Sequence, residues 1–212
     1  MNEIRFTLLI GSFARGTGGR DSDIDVLRIN HKRRVKRPIG IDYNLPISYV
    51  DYDLSSFNKI FDEGSLFLYH AFMEGQLLDG DVRQWNRLKD HFVVSNDFSD
   101  SIEEYLQVLT YIEEYPEYER SPVPYLSNIF KCLKNIGIFR MASIKQYDFE
   151  KVTALIAGCG LSASDARMLI QANGVFERAA PTSPALIKAF EGYAIEWKTR
   201  LSDQIARMTH DI

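Results

Sequence analysis

Two hydrophobic rhythms divide the chain. In the first half, short apolar runs and alternating stretches are broken by glycine turns. Leu8 to Ile10 is continuously apolar and ends on Gly11, which predicts a buried strand over residues 7–10. Ile24 to Ile29 alternates and predicts a second strand. Ile39–Ile41 and Ile47–Val50 predict a hairpin turning around Tyr43-Asn44-Leu45. Alternation then places Ile39, Ile41, Leu45, Ile47 and Tyr49 on an apolar face, with Asp42, Pro46 and Ser48 on the other. A helix running to Glu63 is expected next, with Ser55 or Ser56 able to cap it and Asp53 read as a cap as well. A second helix covers Ser65 to about Glu74, where Gly75 ends the pattern. Leu77 and Leu78 follow before the turn at Asp79-Gly80-Asp81.

Beyond about residue 99 the apolar spacing becomes helical throughout. Ile102, Tyr105, Leu106, Leu109 and Ile112 share one face of a helix over Ser101–Tyr115, which Pro116 stops. Residues 117–124 read as a linker. Leu126, Ile129, Phe130, Leu133, Ile136 and Phe139 mark a long amphipathic helix over Tyr125–Ser143. Asp148–Ala157, Ser162–Asn173 and Ser183–Met208 read as three more. The change of rhythm predicts two domains, 1–95 and 96–212, with the boundary falling in residues 92–100.

A length of 212 residues with 45% hydrophobic content suits a globular protein of one or two such units. No apolar run reaches the roughly 18–20 residues that cross a bilayer, and the first residues lack the pattern of a secretory signal. No membrane association and a cytoplasmic location are therefore expected. Cys132 and Cys159 form no metal-ligand pair and read as reduced thiols. A net charge of −4 argues against a generally basic nucleic-acid coat but leaves room for a local basic site.

The chemistry concentrates in one stretch: Gly11-Ser12-Phe13-Ala14-Arg15-Gly16, then Ser22-Asp23-Ile24-Asp25-Val26. The strand delivers Gly11, where a side chain would obstruct close backbone approach. Ser12 opens a short helical turn whose amides and hydroxyl suit triphosphate oxygens. Asp23 and Asp25 alternate along a strand, so both carboxylates point to one face. Two neighbouring carboxylates repel unless a cation neutralises them. Mg²⁺ does so with oxygen ligands and bridges to phosphates, and two such ions clamp the attacking and leaving oxygens of an in-line displacement.

Gly11-Ser12, ten intervening residues, and Asp23-Ile24-Asp25 resemble the signature of the DNA polymerase β-like nucleotidyltransferase superfamily, in the form found in its minimal bacterial members. A weaker similarity runs through Glu63-Gly64-Ser65-Leu66-Phe67 and Glu74-Gly75, which resemble the helix pair following the palm sheet. Tyr125–Phe149 is loosely similar to the helical modules that help hold nucleotide or acceptor. The resemblance implies an α+β fold: a palm with a small mixed sheet and helices, joined to a C-terminal helical bundle. It implies a nucleoside triphosphate or deoxynucleoside triphosphate such as ATP as donor, two Mg²⁺ or Mn²⁺ ions as cofactor, and pyrophosphate as product. Asp23 and Asp25 would be catalytic and metal-binding; Gly11 and Ser12 would hold phosphates.

The superfamily also places a third carboxylate on a neighbouring strand. Ser48 occupies the place where it is expected. Asp42, reaching across the hairpin, is favoured as the third metal-binding and catalytic residue. Asp51 is the alternative, although alternation sets it on the buried side, and a site with no third carboxylate is the remaining reading. Arg15 either braces the motif or meets phosphate. Lys131 and Lys134 either form an exposed polar stripe or, as a helical lysine does in related enzymes, contact the triphosphate. The basic run His31-Lys32-Arg33-Arg34-Val35-Lys36-Arg37 is either a solvated loop or a contact to nucleic-acid phosphates. His70, amid Leu66, Phe67, Leu68, Phe72 and Met73, reads as a packing or hydrogen-bonded histidine. Tyr43, Tyr49 and Tyr52 read as core more than as a base-stacking group.

The expected activity is transfer of a nucleoside monophosphate to a hydroxyl, with the acceptor open. It would be a nucleotide or nucleic acid, giving an oligonucleotide or nucleotide signal in bacterial phage defence with an operon-encoded partner or effector. The alternatives are a protein acceptor, as in antitoxin-type AMPylation, a small molecule of the aminoglycoside kind, or a non-catalytic nucleotide-binding module.

Overall fold

The computed structural model describes residues 4–19, 22–31, 45–114, 121–178 and 181–210. These divide into two compact units, Met1–Ser95 and Asn96–Ile212.

The first unit is built on a four-stranded sheet in the order β3-β2-β1-β4. The strands are β1 (Phe6–Ile10), β2 (Ile24–Ile29), β3 (Ile47–Tyr52) and β4 (Gln76–Asp79). β1 runs antiparallel to both β2 and β4, and β2 runs parallel to β3, so the sheet is mixed. One face carries Phe6, Leu8, Ile10, Leu27 and Ile29, all buried. Against it pack Phe57 of α2 (Leu54–Asp62), Leu68, Ala71 and Phe72 of α3 (Leu66–Glu74), and Trp85 of α4 (Val82–His91). The small α+β fold implied by the resemblance is what the chain adopts.

Three local details differ from expectation. Ser55 and Ser56 do not cap α2; Asp53, also read as a cap, does, its carboxylate accepting from the Ser56 amide at 2.7 Å. Helix α4 has no counterpart in the sequence reading. Asp81 caps it, accepting from the amides of Arg83 and Gln84, and Trp85 anchors it against Phe6 and Phe72 at ring separations of 5.1 and 4.5 Å. In β3 the apolar face is reversed. Val50 and Tyr52 pack on the core, whereas Tyr49 is 37% exposed. The rest of the expected hairpin, including Ile39, Ile41 and Tyr43, lies outside the described residues.

The second unit is helical: α5 (Ser99–Glu114), α6 (Pro122–Ser143), α7 (Lys151–Thr153), α8 (Ala163–Arg178) and α9 (Pro184–His210). α6 begins at Pro122, inside the expected linker, because proline suits a first helical turn where no amide partner is needed. It packs on α5, α8 and α9. In place of one helix over 148–157, α7 passes into a π-helical turn, Ala154–Gly158, that lies directly on α6. The approach is backbone to backbone. A Cβ on Gly137 would overlap the Ala154 carbonyl, and one on Gly158 would overlap Gly137. Gly137→Ala is therefore expected to destabilise this unit by about 3 kcal/mol, the upper range for overpacking, as read from chemical denaturation of the helical signal.

Both cysteines are buried here. Burial pushes the Cys132 thiol up to about 11 and that of Cys159 up to about 12. Cys159 Sγ donates to the Leu133 carbonyl. These thiols are core groups with no thiolate chemistry near neutral pH. Among the described residues no helix is long and apolar enough to cross a membrane.

Candidate active site

β1 and β2 are antiparallel, so the end of one strand and the start of the other meet at the same edge of the sheet. Ile10 pairs with Asp25 in register. The chain leaves β1 through Gly11 at φ 71°, a left-handed backbone that glycine adopts without strain. A short helix, α1 (Gly11–Ala14), follows. A Cβ at position 11 would stand 2.5 Å from Asp25 Oδ2. The close backbone approach expected of Gly11 is thus made to one of the two paired carboxylates.

After α1 the loop closes on itself. The Thr17 amide and hydroxyl both donate to the Ser12 carbonyl, at 2.9 and 3.3 Å. A Cβ on Gly18 would meet the Phe13 ring at 2.8 Å. Ser22 Oγ accepts from the Gly19 amide at 3.1 Å, returning the chain toward Asp23. Asp23 and Asp25 are both half-buried, and strand alternation sets them on the face that also carries Ile10 and Leu27. Ser12, ten intervening residues before Asp23, is half-buried as well.

On the parallel neighbour β3, Ser48 is the residue level with Asp25. Asp51 is level with Arg28, on the opposite face of the sheet. It makes a two-pronged ion pair with Arg28, both contacts at 2.5 Å, while the Tyr49 ring lies 4.2 Å from the guanidinium. The hydrogen bonds that Arg28 donates to Asp51 hold the buried guanidinium above its ordinary range, against the opposing cost of burial. Asp51 therefore neutralises Arg28 and is turned away from Asp23 and Asp25. It is also exposed and not on the buried side, because the core face of β3 is that of Val50 and Tyr52. Asp42 and residues 32–37 of the basic run lie outside the described residues. His31 Nε2 sits 2.9 Å from Thr7 Oγ1 and 3.0 Å from the Phe6 carbonyl, tied to β1. Tyr52 tilts against Phe67 in the core.

Arg15 points back to the first unit's helices. Its guanidinium donates to Glu74 Oε2 at 2.9 Å, and His70 Nε2 lies 2.9 Å from the same oxygen. Gln76 Nε2 donates to the Ala14 carbonyl at 2.8 Å. His70 is hydrogen-bonded, as one of its readings has it, but its partners and the roles of Glu74 and Gln76 leave no signal in the sequence. Glu74-Gly75 was visible as a family-like pair, but its link to Arg15 spans 59 positions. In the second unit, Lys131 pairs with Glu177 at 2.5 Å and lies near the Phe176 ring, and Lys134 is half-buried on the same helix.

Among the described residues, no three His, Cys, Asp or Glu side chains cluster as a metal site. The donor set that is present still suits a hard divalent cation: two half-buried carboxylates on one face, with Gly11 leaving space at Asp25.

A nucleotidyltransferase domain model matches residues 5–121. The chain belongs to this family. It is a nucleotidyltransferase domain of the polymerase β-like superfamily, as the motif resemblance implies. A search of curated proteins found no match to the chain. The match covers the whole described sheet, the Gly11-Ser12 turn, both paired aspartates and α5. Membership makes transfer of a nucleoside monophosphate from a nucleoside triphosphate the general activity of this nucleotidyltransferase domain.

Proposed function

We propose that this protein is a metal-dependent nucleotidyltransferase that moves NMP or dNMP from a nucleoside triphosphate to a hydroxyl and releases pyrophosphate. The observation that carries this reading is the contact of Gly11 with Asp25, which joins the phosphate turn and the paired carboxylates into one site. Under this reading Asp23, Asp25 and Asp42 hold Mg²⁺ or Mn²⁺, and the Gly11-Ser12 turn holds the phosphates. Lys131 and Lys134 remain candidates for nucleotide binding. When bound, the divalent ions neutralise phosphate charge and polarise the reacting oxygens. The acceptor oxygen forms the new bond to the α-phosphorus as the bond to the bridging oxygen breaks, and pyrophosphate departs with that electron pair. The hydroxyl proton passes to a site carboxylate, with Asp42 in that role. Ser48 level with Asp25 fits this assignment, since Asp42 shares its parity in the expected hairpin.

For domain roles, we assign residues 1–95 as the palm and 96–212 as the helical module. The acceptor we favour is a nucleotide or nucleic acid, making an oligonucleotide or nucleotide signal in bacterial phage defence, in the cytoplasm. The basic run His31–Arg37 supports an anionic acceptor. A second reading, a nucleotide-binding module without turnover, is favoured by one observation: the residue level with Asp25 on β3 is a serine.

Product analysis separates these. Each α-labelled NTP and dNTP is incubated with the protein and Mg²⁺ or Mn²⁺, then resolved on a denaturing gel and by mass. A ladder or a new nucleotide product is expected. Label on the protein itself would point to the AMPylase alternative, and unchanged nucleotide throughout would support the binding module.

A further inference from the structure

We propose that Glu74 is a positioning residue: acting through Arg15 and His70, it holds the Gly11-Ser12 turn in the conformation that receives the nucleotide. The proposal rests on the nucleotidyltransferase reading and adds to it a device absent from the motif itself.

α1 has little to hold it. It is four residues long, begins on a left-handed glycine and has no side-chain cap. So short a helix has no stability of its own. Its position must come from tertiary contacts. Two of these reach it from the α3–β4 segment. Gln76 takes the Ala14 carbonyl, and Glu74 takes the Arg15 guanidinium.

The second contact is a three-way arrangement. Arg15 and His70 nitrogens both lie 2.9 Å from Glu74 Oε2 and 3.2 Å from each other. The arginine has only donors. Placing the histidine proton on Nε2 lets both groups donate to one carboxylate oxygen, and the 3.2 Å approach is then two donors converging on a shared acceptor. The opposite tautomer would set an imidazole lone pair against a carboxylate lone pair at 2.9 Å. The Arg15, His70 and Glu74 side chains are 19%, 12% and 25% exposed, so solvent substitutes poorly for any of them. Replacing the carboxylate by a neutral amide leaves the guanidinium and the histidine N–H converging on an uncharged oxygen or on a third N–H donor.

Of the two expectations for Arg15, the proposal takes the brace. Its guanidinium donates to Glu74. Its contribution to nucleotide binding is to hold the turn.

The test uses Glu74→Gln in the full chain, which keeps shape and removes charge, with two readouts. The first is hydrogen exchange of the amides of residues 12–17, which needs no activity. The second is nucleotide affinity and turnover with Mg²⁺ and each of the four NTPs. We expect exchange in the turn to quicken by about tenfold or more while β1 and β2 are unchanged. Nucleotide affinity should fall by roughly tenfold, with the loss mainly in KM. Arg15→Lys keeps the cation but loses the planar fork, and should give a smaller change of the same kind; it serves if Glu74→Gln does not fold. Arg15→Gln combined with Glu74→Gln should lose little more than either alone, because both break one contact. Unchanged exchange in the turn overturns the proposal whatever the activity. Faster exchange with unaltered affinity and KM overturns it too, leaving only a structural tie. An Arg15 loss without a Glu74 loss would show that Arg15 meets phosphate directly. A parent protein that binds no NTP would sink the nucleotide role of the turn; Asp25→Asn abolishing turnover in an active parent would leave the broader reading standing even if the clamp fails.

Discussion

Asp25→Asn is expected to abolish NMP transfer while leaving the fold intact. The amide has the shape of the carboxylate, so the packing of Gly11 against position 25 survives, and so does the pairing with Ile10. What disappears is one of two negative charges on the site's face. Loss of a residue that merely orients a metal ligand costs about 10–100-fold in affinity or activity. Loss of a ligand itself should exceed that, and we expect a fall of about 10³-fold or more in pyrophosphate release. Asp23→Asn should behave alike. Circular dichroism and thermal melting without metal should match the parent, and any rise in melting temperature produced by Mg²⁺ or Mn²⁺ should be lost. A variant that keeps parental turnover would remove Asp25 from the chemistry.

Gly11→Ala should be nearly as damaging, for a steric reason. One methyl group at this position meets Asp25 Oδ2 at 2.5 Å, well inside contact distance, and the backbone stands at φ 71°. Either Asp25 swings away or the turn shifts; both separate the phosphate cradle from the carboxylates. A misplacement of about 1 Å costs on the order of 10²-fold in rate. We expect a loss of about 100-fold in kcat/KM, together with about 1–2 kcal/mol of stability from the left-handed strain. Gly16, also at positive φ but with open space around it, is the matched control. Its alanine variant should carry the strain cost and spare the rate.

These two positions also show how much of the candidate site the sequence carries. Gly11, Ser12, Asp23 and Asp25 lie within one strand–helix–strand segment, so the arrangement proposed for them is local and leaves a local trace in the sequence. β3 shows the opposite case. Ile47 and Tyr49 look like a buried face, yet the parallel register with β2 turns Val50 and Tyr52 to the core and sets Ser48 beside Asp25. Alternation says which residues share a face; only the partner strand says which face is buried. The sequence without that information leaves Asp51 open as a third carboxylate; Arg28 claims it on the other side of the sheet. Helix α4 leaves no period in the sequence because Trp85 is its one buried residue, too sparse a stripe to set one. The π turn was read as an ordinary helix because the Gly137–Gly158 contact joins residues far apart in the chain. The tie of Glu74 and His70 to Arg15 leaves no sequence trace for the same reason: only folding brings the three together.

The central claim is that the turn and the paired aspartates form a working transferase site. Its most direct test is pyrophosphate release by the parent protein from each NTP and dNTP, with Mg²⁺ or Mn²⁺ and with a chelator. The account predicts release from at least one nucleotide, dependent on the metal and lost in Asp25→Asn. No release from any nucleotide, or release indifferent to both metal and Asp25, would contradict it.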